Sequence, residues 1–278
     1  MPNEVMLAVL LSAALNAGWN SAVKIGGDRT AVMALTTLVG SAISLLALPL
    51  VALPSSQGWA LLALSIAIHT VYHFVLPMAY ARGDLGLVFP VARGSAPLLV
   101  MAGAAAFAGE MPGAGTLLGV ACLSLGILLL AWGAGRGRSR PAVGYALLAG
   151  VLIASYTVID AMGARQGGSA LGFAVLVSLG DGIATVLAVL CWKGRRALAV
   201  DARTWRLCAA AGAMQMGAYW IAVWALAQAP MASVSALRET SVLFVALISA
   251  FVLKEGLGRR RLAAAALVCA GIALVRLA

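Results

Sequence analysis

The stretch Val91-Ala92-Arg93-Gly94-Ser95, running on to Ala108-Gly109-Glu110, has a counterpart 145 residues later. That counterpart is Ala236-Leu237-Arg238-Glu239-Thr240, running on to Leu253-Lys254-Glu255. Arg93 superposes on Arg238 and Glu110 on Glu255 without a gap. The alignment then pairs Gly113 with Gly258, Leu117 with Leu262, Gly126 with Gly271, Ile127 with Ile272 and Leu129 with Leu274. The chain therefore reads as two similar halves, residues 1–133 and 142–278, joined by a basic linker over 134–141. Each half carries one arginine inside a segment apolar enough to lie in lipid. An arginine there costs roughly 3 to more than 10 kcal/mol, depending on the reference state. Something must offset that cost twice, and a transport pathway is the natural candidate.

A mean hydropathy of +1.02 and 10% charged residues place the chain in the membrane class. A helix needs about 20 apolar residues to cross the hydrocarbon core. Ten such runs are present, over 4–23, 32–52, 59–81, 85–108, 113–132, 142–162, 171–192, 205–227, 231–253 and 258–277. They are too long for barrel strands and do not alternate in polarity. The fold class expected is all-α integral membrane, with ten transmembrane helices. The start Met1-Pro2-Asn3-Glu4 has no basic region, so the first run is read as a retained helix. Cys122, Cys191, Cys208 and Cys269 stand singly and read as small packing residues.

The net charge of +10 is a topology signal and not a nucleic-acid footprint. Fifteen of the 19 basic residues flank the connections after the first, third, fifth, seventh and ninth runs. Only Arg165 and Arg276 flank the others, and Arg93 and Arg238 lie within runs. Basic loops stay cytoplasmic, so both termini should face the periplasm of a bacterial inner membrane. Five helices per half is an odd number, so the second half enters the membrane inverted. Secondary transporters use inverted repeats of this kind, with the substrate near the midplane.

The pairs Gly109-Glu110 and Lys254-Glu255 end the fourth and ninth runs, and Gly126-Ile127 and Gly271-Ile272 stand near the ends of the runs that follow. With five helices plus five, this pattern resembles the drug/metabolite transporter superfamily, and the EamA-type family within it. The resemblance implies a ten-helix basket. The first, third, fourth, sixth, eighth and ninth helices would line a central cavity, with the fifth and tenth packed outside. It also implies transport of amino acids, other metabolites or toxic cations.

The candidate substrate-binding residues are polar or aromatic groups within the runs. Arg93 lies between Pro90 and Pro97, which free backbone carbonyls where a helix lines a cavity. A guanidinium holds a carboxylate or phosphonate with two parallel bonds, so Arg93 and Arg238 are candidate anion ligands. Asn16, Trp19 and Asn20 share a face of the first run. His69, Tyr72 and His73 share one of the third at helical spacing. Tyr156 aligns opposite Trp19, and Gln215, Tyr219 and Trp220 form a similar face of the eighth run. No third ligand accompanies the two histidines, so no metal is expected, nor any other cofactor. Glu239 and Asp181 are proton-coupling candidates because each is an acid without an acidic repeat counterpart. Glu239 alternatively neutralises Arg93 or Arg238. Asp160 is read as interfacial and paired with Arg165. Trp59, Trp132, Trp192 and Trp205 read as interfacial anchors. Gly115-x-x-x-Gly119 reads as a packing motif against the tenth helix.

No nucleophile elbow, metal-ligand set or phosphate loop is present, so an enzyme is not expected. The function expected is secondary transport of a small organic metabolite, anionic or zwitterionic, by alternating access. Proton coupling is an open possibility, and the partners are that small molecule and membrane lipid, with no nucleic acid. The alternatives are efflux of amphiphilic drugs or toxic cations, and a lipid-carrier flippase.

Overall fold

The computed structural model describes residues 1–25, 28–83, 85–131, 140–166, 168–244 and 259–277. The protein is an all-α membrane protein. Among the described residues the main α-helices are α1 Asn3–Ile25, α2 Arg29–Ala47, α3 Ser56–Arg82, α4 Leu85–Ala108, α5 Ala114–Ala131, α6 Arg140–Gln166, α7 Ala170–Lys193, α8 Ala202–Gln228, α9 Met231–Arg238 and α10 Arg259–Leu277. Eight of these, α1 to α8, are long and apolar enough to cross a membrane. Helix is the natural answer to lipid, because every backbone donor then finds its acceptor within the segment. Leu46, Leu50, Phe107 and Leu125 point outward and are more than 60% exposed, as a lipid-facing belt requires. Trp59, Trp192 and Trp205 are also exposed near helix ends. Trp132, most of the linker, Lys254-Glu255 and the later part of the ninth run lie outside the described residues.

The helix starts are written in short polar side chains. Asp28 accepts from the amides of Thr30 and Ala31, Ser169 from Gly172, and Asp201 from Thr204. Asp28 also meets Lys193 Nζ at 3.0 Å, which ties the start of α2 to the end of α7. Partial burial alone would raise the Asp28 carboxyl. The Lys193 hydrogen bond and the two amides outweigh it and hold the group below its ordinary value.

Five helix pairs dominate the packing: α4 with α6, α3 with α6, α1 with α8, α2 with α7, and α5 with α10. The last pair rests on glycines. A Cβ on Gly119 would lie 2.8 Å from the Gly271 carbonyl oxygen, and one on Gly271 would lie 2.6 Å from that of Gly119. Gly126 is equally tight, 3.0 Å from the Ala264 carbonyl oxygen. The Gly-Ile pairs of the sequence are thus close-contact points between two backbones outside the cavity.

Gly109-Glu110 also has a mechanical explanation. Gly109 adopts φ +69°, a left-handed conformation that terminates α4. The amide of Glu110 returns to the Ala104 carbonyl at 3.1 Å. The Glu110 carboxylate then accepts from the Met231 amide at 2.8 Å, at the first turn of α9, and pairs with Arg165. Arg165 in turn donates to the carbonyls of Leu226 and Ala229 at the end of α8, each at 2.9 Å. Its acidic partner is therefore Glu110 and not Asp160.

The ninth run is not one continuous helix. It ends at Arg238, and Glu239 and Thr240 form a turn before a further helical turn over 241–244. The amides of Glu239, Thr240, Val242 and Leu243 each bond the carbonyl three residues back. The Thr240 hydroxyl donates to the Leu237 carbonyl at 2.8 Å. Tight turns of this type inside a membrane helix occur where the backbone lines a cavity or is buried in protein. Residues 232 to 242 are all buried.

Candidate functional site

The helices surround a central cavity that is partly open to the outside. It is lined from α1 by Asn16 and Trp19, from α3 by His69, Tyr72 and His73, and from α4 by Arg93. Tyr156 of α6, Asp181 of α7, Gln215 and Tyr219 of α8, and Arg238 of α9 complete the polar wall. Thr37 and Gly40 of α2 and Val177 and Ser178 of α7 line it as well. All six helices implied by the family resemblance contribute, joined by α2 and α7, while α5 and α10 contribute nothing to the lining. Asn20 and Trp220 are not part of the wall. Asn20 is buried against its own helix, donating to the Asn16 carbonyl at 2.8 Å, and Trp220 donates to the Ser178 hydroxyl at 3.1 Å.

Three charged clusters stand in this region. The first joins the two halves. Arg93 meets Glu239 at 3.1 Å and donates to the Asn16 side-chain oxygen at 3.0 Å, with the Phe89 ring 5.6 Å from the guanidinium carbon. Trp19 Nε1 donates to the same Asn16 oxygen at 3.0 Å. Arg93 and Glu239 are 3% and 2% exposed, so the pair is fully desolvated. Of the two arginines that Glu239 was expected to neutralise, it takes Arg93. The break at Glu239 places the carboxylate toward α4 instead of continuing the register of α9.

The second cluster contains a residue misplaced by the sequence reading. Asp160 is 1% exposed, well inside α6, which runs on to Gln166. It accepts from the Ser65 and Tyr219 hydroxyls, the latter at 3.0 Å, and its other neighbour is His69 Nε2 at 3.9 Å. His69 Nδ1 faces the Ser65 carbonyl at 3.0 Å, and its ring stacks on Tyr156 with centroids 4.0 Å apart. Asp160 lies one turn beyond Tyr156 and so on the same face of α6. That spacing was the signal that could have found it.

The third cluster is one turn further along α3. His73 Nδ1 lies 3.1 Å from Asp181 Oδ1, and Thr185 bonds both, each at 3.3 Å. His73 Nε2 faces the side-chain amide of Gln215 at 3.5 Å.

Arg238 differs from all of these. It lines the cavity and is 9% exposed, yet it has no ion pair among the described residues. Its Nε has no hydrogen-bond partner among them either. No group of three or more metal-ligating side chains occurs among the described residues.

Residues 140–277 match the sequence profile of the EamA-like transporter family. A solved crystal structure of a protein superposes with a TM-score of 0.79 at 17% identity. The match covers 98% of this chain and 95% of that one, and it shows a shared fold. No curated protein matches the sequence.

Proposed function

The chain belongs to the EamA-like transporter family of the drug/metabolite transporter superfamily, and from that premise we propose that it moves a small organic anion or zwitterion by alternating access. It is a multi-pass membrane transporter rather than an enzyme, and the finer reading rests on one observation. Arg238 presents a desolvated guanidinium to the cavity with no carboxylate paired to it among the described residues. A buried charge without a partner is costly, and a ligand carboxylate supplies the missing partner. The guanidinium fork fits a carboxylate or phosphonate through two parallel bonds. Tyr72 and Tyr156 beside it offer aromatic surface to an amphiphilic body, with rings 5.8 Å apart.

Alternating access is supported by the packing. Exchanging each of α1–α5 for the helix five places later turns the α1–α8 contact into α6–α3, and leaves α2–α7 and α5–α10 unchanged. That pattern fits two five-helix units, 1–133 and 142–278, related by a two-fold axis in the membrane plane. The basic bias supports both termini on the periplasmic side of an inner membrane.

A thermal-shift panel of amino acids, dicarboxylates, phosphonates and quaternary amines on the purified protein tests the ligand class. Stabilisation by carboxylates, lost in Arg238→Gln, is the expected outcome. A second reading, efflux of organic cations, is favoured by the three buried carboxylates Asp160, Asp181 and Glu239. Stabilisation by the quaternary amines alone would select it.

A further inference from the structure

The two His–Asp contacts on α3 are chemically different. At the first, His69 Nδ1 is turned to the Ser65 carbonyl and Asp160 is already served by two hydroxyls. The remaining Nε2–Asp160 separation of 3.9 Å is too long for a hydrogen bond. At the second, His73 Nδ1 faces Asp181 directly at 3.1 Å, and among the described residues the only other donor to that carboxylate is the Thr185 hydroxyl. A neutral His73 therefore carries its proton on Nδ1, toward Asp181. Its free lone pair, on Nε2, is aimed at the Gln215 amide on the cavity wall.

The charge count of the cavity gives this lone pair a consequence. Among the described residues, the buried charges are two arginines, Arg93 and Arg238, against Asp160, Asp181 and Glu239. With both histidines neutral and all three carboxylates ionised, one negative charge is in excess. A proton on His73 balances it, and an anion bound at Arg238 would double the excess unless a proton came with it. The neighbours of α3 leave His73 as the group placed to take that proton. α6 contributes Asp160 and Tyr156, α8 contributes Tyr219, and α2 brings only uncharged Thr37 and Gly40 to the cavity. Arg93, from α4, is committed to Glu239.

We propose that the His73–Asp181 pair is a proton-binding site of this cavity, loaded together with the anionic ligand at Arg238. The proton comes from solvent and adds to His73 Nε2. No other bond breaks, and the Gln215 amide turns so that its oxygen accepts the new N–H. Because Gln215 also faces the ligand space, both the shared charge and this amide couple the two occupancies. The coupling is reciprocal: a proton tightens the anion site, and the anion tightens the proton site. The linkage to an anion rests on the function proposed above, whereas the proton site itself does not.

The chain has only two histidines, both in the cavity, which makes the test direct. Nitrogen NMR of the full-length, histidine-labelled protein in lipid nanodiscs reads the tautomer and protonated fraction of each, and His69→Gln assigns them. No transported ligand is needed. We expect neutral His73 to be the Nδ1–H tautomer and its protonated form to carry the added proton on Nε2. Asp181→Asn should lower its proton affinity by about tenfold or more, the effect of removing an opposite charge at this range. If that variant does not fold, Gln215→Leu carries the test, because it removes the acceptor for the new N–H and should also lower the protonated fraction. A His73 that stays neutral throughout, or that titrates identically in the variant, overturns the site. Arg238→Gln in the same experiment should raise the protonated fraction of His73, and no change there overturns the linkage. Failure of the anion reading would appear separately, in the ligand panel.

Discussion

Arg93 and Arg238 align with each other in the sequence, and they are held in opposite ways. Arg93 sits in an unbroken helix, α4, between two prolines, and both of its polar contacts are to protein groups, Glu239 and Asn16. Arg238 sits on the last turn of a helix that stops there, and it has no acidic partner among the described residues. The neighbouring residue explains the divergence. Position 94 is glycine because α5 packs on it: a Cβ there would lie 2.9 Å from Leu128 Cγ. The aligned position is Glu239, in the turn that follows α9, and its carboxylate crosses to neutralise Arg93. That leaves Arg238 without an acidic partner among the described residues, although both arginines line the cavity.

The largest effect that can break this comparison is at Glu239. Glu239→Gln leaves Arg93 buried and unpaired and should cost about 3–5 kcal/mol of stability, the typical effect of breaking a buried pair from one side. Arg93→Gln combined with Glu239→Gln should restore much of that, since neither charge remains. Arg238→Gln should change stability by less than about 1 kcal/mol, because no pair is broken. Unfolding of all four proteins in the same detergent checks the order. A costly Arg238→Gln would mean that the two arginines are equivalent after all.

The packing that keeps position 94 small gives the next effect. Gly94→Ala drives a methyl group into Leu128 and should cost about 1–3 kcal/mol by overpacking. Leu128→Ala introduced with it should recover part of the loss, and the double-mutant comparison measures how much. Smaller still is the end of α4. Gly109→Ala places a side chain at φ +69° and should cost about 1–2 kcal/mol, read as a lower melting temperature with ligand binding unchanged.

Much of this was legible in the residues. Nine of the ten apolar runs correspond to helices within a few residues at most of their ends, the ninth being broken after Arg238, because in lipid the length of an apolar run and the helix that must satisfy its backbone are the same constraint. The cavity faces of α1, α3 and α8 followed from helical spacing, which brought Asn16, Trp19, His69, Tyr72, His73, Gln215 and Tyr219 to the wall. What spacing could not supply was depth and partner choice. Asp160 reads as interfacial if α6 ends near 162, but the helix runs to Gln166 and Asp160 is buried. The break after Arg238 carries no proline or glycine. It depends on the Thr240 hydroxyl and on a carboxylate drawn across to Arg93, and neither is visible along one strand of sequence. Trp220 shares the polar face of α8 but reaches Ser178, a partner fixed only once α7 and α8 are packed.

The central claim is that Arg238, and not Arg93, is the anchor for an anionic ligand. The most direct measurement is calorimetric titration of Arg238→Lys with the carboxylate that best stabilises the wild-type protein. Lysine keeps the charge but loses the two-pronged fork. The predicted result is an affinity reduced about tenfold or more, matching the loss of about 1.5–3 kcal/mol for a hydrogen bond to a charged group. An Arg238→Lys protein that folds and binds that carboxylate as tightly as the wild type would contradict the account.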